Sequence, residues 1–131
     1  MRRILIAAAL ACGLCVGGLS ARGADKDKEY KGVVIDNACG AKQMSKANPE
    51  EAAEGHPKSC ALKCAKGGDG FSLISGKKSY KIDSAANDKI TQYLTEETNG
   101  TKVIVMGTLS DDGKTLKVTD IKGDTGKEKK G

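Results

Sequence analysis

The chain has 131 residues, with 22 Lys and Arg against 17 Asp and Glu, one Phe, three Tyr and no Trp. All three arginines, Arg2, Arg3 and Arg22, precede Gly23, so the rest carries 19 Lys against 17 acidic residues, a charge of +2. Lacking arginine's fork for phosphate and guanine, and having few rings on which bases could stack, this composition argues against nucleic-acid binding.

Met1-Arg2-Arg3 is a short positive start, and Ile4 to Leu19 is an apolar run broken by glycines. It is shorter than the roughly 18 to 20 residues of a spanning helix. Ala21 and Gly23 suit positions −3 and −1 of a signal-peptide cut after Gly23. Residues 1–23 therefore read as a signal peptide, and the mature chain as exported, periplasmic or extracellular, with no stable membrane anchor. A retained anchor is a weaker reading. So is a lipoprotein cut ahead of Cys12 or Cys15, because it would leave an unusually short leader.

Residues 24–29 are charged and aperiodic, and read as a disordered lead-in. Tyr30 to Asp36 is a strand rich in β-branched residues. Asn37 to Gly40 ends it, and 41–47 is a loop or a turn of helix. Asn48-Pro49-Glu50-Glu51 starts a short helix that Gly55 stops. Pro57 starts a second helix, with His56 at or before its cap, and Gly67-Gly68 closes it. Phe71 to Ser75 and Ser79 to Asp83 flank Gly76-Lys77-Lys78 as a hairpin. Ser84 caps a helix running to about Glu97, with Ile90, Tyr93 and Leu94 on one face. Thr101 to Ser110 is a strand buried on much of both faces. Asp111 to Lys114 is a turn and Thr115 to Lys122 a further strand. Residues 123–131 form a lysine-rich tail that reads as disordered.

One mainly β domain over 30–122 follows, with a helical insert at 37–69. Strand, helical insert, strand, strand, helix, strand, strand is the element order of a five-stranded OB-like barrel. With so few large apolar side chains its core is thin, and a covalent or metal cross-link would help it.

The insert holds the chemistry. All cysteines beyond the leader, Cys39, Cys60 and Cys64, and the single histidine, His56, lie between Asp36 and Lys66. Three thiols in an exported chain allow one disulfide and leave one over. Cys60 and Cys64 stand four apart, and on a regular helix such Cβ atoms sit ~5–6 Å apart, beyond the ~3.5–4.5 Å of a disulfide. Cys39 is then the partner of Cys60 or Cys64. Closing that loop of ~20–25 residues is worth about 3 kcal/mol. On this first reading the protein is a non-enzymatic binding or structural module without a cofactor. Its partner would be another exported protein or a cell-envelope component.

The alternative is a metal site. Cys39, His56, Cys60 and Cys64 make a Cys3His set suited to zinc, or to copper by softness. His56, Cys60 and Cys64 would line one helix face by four-residue spacing. A weaker alternative is redox or nucleophilic thiol chemistry at Cys60, activated by His56 and the start of its helix. Asp36 and Asn37 could add oxygen ligands, although Asx side chains at a strand end more often cap a turn.

Gly32, Asp36, Cys39 and Gly40, then His56, Cys60 and Cys64, then Gly76, Tyr80-Lys81-Ile82 and Val103 to Thr108 form a pattern that spans nearly the whole mature chain. It resembles exported bacterial OB-like domains. The resemblance implies a fold and an exported location, and brings no established activity with it.

Overall fold

Val33, Val34 and Ile35 are fully or almost fully buried and form the centre of the first strand, β1 (Lys28–Asp36), around which the molecule is built. In this computed structural model residues 27–126 are described. The expected leader, the start of the lead-in and the end of the tail lie outside the described residues. Three short helices follow β1: α1 (Asn37–Gln43), α2 (Pro49–Glu54) and α3 (Lys58–Cys64). A wide turn over Ala65–Asp69 leads to β2 (Phe71–Ser75) and β3 (Lys78–Ile82). A 3-10 turn (Ser84–Ala86), α4 (Asn87–Thr95), β4 (Lys102–Leu109) and β5 (Thr115–Gly123) complete the order.

The protein is thus mainly β, and the helical insert falls between the first two strands as the sequence predicts. The five strands form one mixed sheet that closes in a ring, in the order β1-β2-β3-β5-β4. β1 is long enough to serve two neighbours: Val33 to Asp36 pair with β2, and Lys28 to Val33 pair with β4. Only β3 and β5 run parallel, joined at Lys81–Thr115 and Ile82–Leu116. Lys28 and Glu29, which read as lead-in, are strand because β4 offers them Gly107 and Met106 as partners.

Alternation along β1 divides its apolar residues between two clusters. Val34 joins Phe71, Leu73, Ile82, Val103, Val105 and Leu116 inside the ring, where Ile90 and Leu94 of α4 also pack. Val33 and Ile35 instead meet Ile74 and Ala53 of α2, with Cys39 and Met44 at the edge. The insert therefore covers the outer face of β1 and β2. Two glycines permit the closest approaches. A Cβ on Gly32 would stand 2.2 Å from the Ile74 carbonyl oxygen, and one on Gly107 would stand 2.0 Å from that of Lys117. The remaining differences from the sequence reading are local. Helix α1 begins at once after β1, and the chain enters α4 through a 3-10 turn whose cap is Asp83 rather than Ser84. On β4 the buried set is Val103, Val105 and Gly107, and the opposite face is half-covered rather than buried.

Candidate metal centre

The site begins with the last residue of β1. Asp36 has extended backbone angles (φ −64°, ψ 152°), and the chain turns into α1 immediately after it. Its carboxylate Oδ2 accepts the backbone N–H of Cys39 at 2.8 Å, which satisfies one of the free donors of the first turn. Because α1 and α2 fold back over β1, the Asp36 side chain is fully buried. Gly40 lets α1 lie close, since a Cβ there would stand 3.0 Å from Ile35 Cγ2.

His56 is held by the end of α2. Its backbone N–H donates to the Ala53 carbonyl at 3.0 Å, and Ala53 is itself buried against β1. Pro57 caps α3 with φ −62° and ψ 132°, an extended residue that ends one helix and starts the next. Its carbonyl accepts the N–H groups of Cys60 at 3.0 Å and Ala61 at 3.3 Å. His56 thus precedes α3 and is not part of it, so the expected single helical face of His56, Cys60 and Cys64 does not form.

The imidazole instead meets the carboxylate. His56 Nε2 lies 3.4 Å from Asp36 Oδ1, with the histidine side chain 15% exposed. Neither atom has a hydrogen-bond partner, although both are buried. Buried polar atoms are almost always paired, so a carboxylate oxygen and an imidazole nitrogen at ion-pair distance, neither with a hydrogen-bond partner, are candidates to share a ligand. Cys39 completes the group: one donor atom each from Asp36, Cys39 and His56 lies within 4.8 Å of the other two. Donors ~2.0–2.3 Å from a tetrahedral ion stand roughly 3.5 Å apart, so modest side-chain rotation would close all three on one centre.

The Cys39 thiol is pushed up from its usual range. Burial is the largest cause, followed by its hydrogen bond to Asp36, the Asp36 charge and the charge of Cys64; Lys42 opposes them weakly. Cys39, Cys60 and Cys64 are all free thiols. Cys60 is exposed and Cys64 is half-buried at the end of α3, and both lie outside the Asp36–Cys39–His56 group. Asn37 faces elsewhere: its amide donates to the Asp69 carbonyl and its Oδ1 accepts from Ser72 Oγ, tying α1 to β2. The sequence named Cys39 and His56 as donors but left Asp36 only an accessory place. The Asp-x-x-Cys spacing that marks a cap was the available signal for it.

Comparison of the chain with protein-family models, curated proteins and solved structures finds no match. No helix among the described residues is long and apolar enough to cross a membrane.

Proposed function

We propose that the protein is an exported metal-binding module of OB-like form, holding a borderline or soft transition ion at Asp36, Cys39 and His56. The observation that carries this reading is the buried Asp36 Oδ1 facing His56 Nε2 at 3.4 Å, neither with a hydrogen-bond partner, with the Cys39 thiol beside them. One oxygen, one nitrogen and one sulfur suit zinc(II) first; copper(I) would prefer a set richer in sulfur. Cys64, half-buried at the end of α3 where that helix packs on β1, is the candidate for a fourth donor, whereas exposed Cys60 is not. The set then becomes Cys2HisAsp in place of the Cys3His set read from spacing. The ring order and the helix between the third and fourth strands support the OB-like description. The signal-like first 23 residues, a positive start followed by an apolar run, support export.

The disulfide-stabilised module is kept as a second reading on one observation: the turn directly after Cys64, one of the two expected partners of Cys39, packs against α1, which carries Cys39. Calorimetric titration of the reduced protein with zinc separates the two. Stoichiometric binding, abolished in C39S and H56A and retained in C60S, is the expected outcome. No heat of binding in the reduced protein, with one protein disulfide after air exposure, would replace the first reading by the second.

A further inference from the structure

We propose that the metal centre is emptied by thiol oxidation, because a bound ion and a Cys39–Cys64 disulfide are competing states of the same sulfurs. This inference rests on the metal-binding reading above and adds its regulation. Its basis is where the insert brings its two inner thiols. Cys39 sits in the first turn of α1 beside Asp36, and Cys64 ends α3. Helix α3 packs against β1, and the turn directly after Cys64 packs against α1, so both elements flanking Cys64 meet the elements that carry the site.

Cys60 is excluded from this pairing. It is exposed, and it lies one helical turn from Cys64, too far for a bond within regular helix. The end of α3 also has freedom to adjust. The turn over Ala65–Asp69 contains Gly67 and Gly68, the latter at φ +100°, and neither position has a neighbour within 4 Å of where a Cβ would be. Adjustment of that turn can reposition Cys64 while Ala61, buried one turn earlier, keeps α3 seated.

The oxidant is a low-molecular-weight disulfide, RSSR. Cys64 thiolate attacks one sulfur, forming a mixed disulfide and releasing RS−. Cys39 thiolate then displaces the second RS−, closing the Cys39–Cys64 bond. Two electrons pass from the protein thiolates to RSSR, and any thiol protons go to the two RS− groups. The metal leaves with its oxidation state unchanged. Asp36 and His56 alone are two donors, fewer than the three or four protein ligands of ordinary zinc sites.

The test is to load the reduced protein with zinc, add oxidised glutathione, follow released zinc with a chromogenic chelator and map disulfides by peptide mass. Zinc should appear in step with a Cys39–Cys64 linkage while Cys60 stays alkylatable. C60S should behave as the parent, and C64S should slow release at least about tenfold. The disulfide map of the unsubstituted chain is decisive even if C64S folds poorly. Zinc still bound after full oxidation, or a bond joining Cys39 to Cys60, would overturn this inference and leave the metal site standing. Reduced protein that takes up no zinc would overturn both.

Discussion

Asp36 uses its two oxygens for different purposes: Oδ2 caps α1, and Oδ1 faces His56. Asn at that position caps as well as Asp but has no charge to offer an ion. In D36N the metal-free fold should keep its stability to within about 0.5 kcal/mol. Zinc affinity should fall by more than the roughly 10–100-fold typical of an outer-shell loss. Denaturation and zinc titration of the same variant check this, and unchanged affinity would contradict it. The raised Cys39 thiol would set the pH dependence of the proposed site. Metal binds the thiolate, so a proton held at neutral pH must leave, and affinity should rise with pH, by up to about tenfold per unit for each proton released. A flat profile from about pH 6 to 8 would count against Cys39 as a ligand. Without metal the sign reverses. The folded state favours the neutral thiol, so this stabilisation is present below the ordinary thiol range and is lost as pH rises through the raised value. Cys39 and His56 were legible as candidate donors because the insert gathers the single histidine and every cysteine beyond the expected leader. Asp36 was not, because its burial depends on α2 folding over β1, which no local pattern encodes.

At the level of elements, the β2–β3 hairpin, α2, β4 and β5 were readable from turn residues and alternation. Gly76 in the hairpin takes φ +58°, and Pro49 opens α2 as its sequence position implies. The start of β1 and the onset of α1 were not readable, because they are fixed by partners distant in sequence: Lys28 by Gly107, Asp36 by Phe71. Gly107 illustrates the same dependence. It lies at the register shift between Met106 and Gly107, and an added Cβ would collide with the Lys117 carbonyl. G107A should therefore destabilise the fold by roughly 1–3 kcal/mol, read as a lower denaturant midpoint. An unchanged midpoint would mean that β4 and β5 approach less closely than described. The placement of His56 follows from a break between elements: extended Pro57 separates α2 from α3, so spacing by fours could not carry the histidine onto the same face as the cysteines.

For the molecule as a whole, the order of elements was legible, and the ring closure was expected from that order. The ring closes through the short parallel contact of β3 with β5. The insert packs on β1 and β2 through the small patch of Val33, Ile35, Ala53 and Ile74. A metal ion joining Asp36 at the end of β1 to Cys39 of α1 and to His56 after α2 would fasten the insert where that patch is thin. Zinc at ~100 times its dissociation constant should then add about 2.7 kcal/mol. In a domain of this size that is a rise of roughly 10–20 °C in Tm, with each kcal/mol worth about 4–8 °C. Equal melting with and without zinc would contradict a site that spans these elements. The most direct test is X-ray absorption at the zinc edge of the loaded, reduced protein. A sulfur shell near ~2.3 Å together with nitrogen and oxygen near ~2.0 Å is the predicted result. A shell of oxygen and nitrogen alone, without sulfur, would contradict the proposed centre.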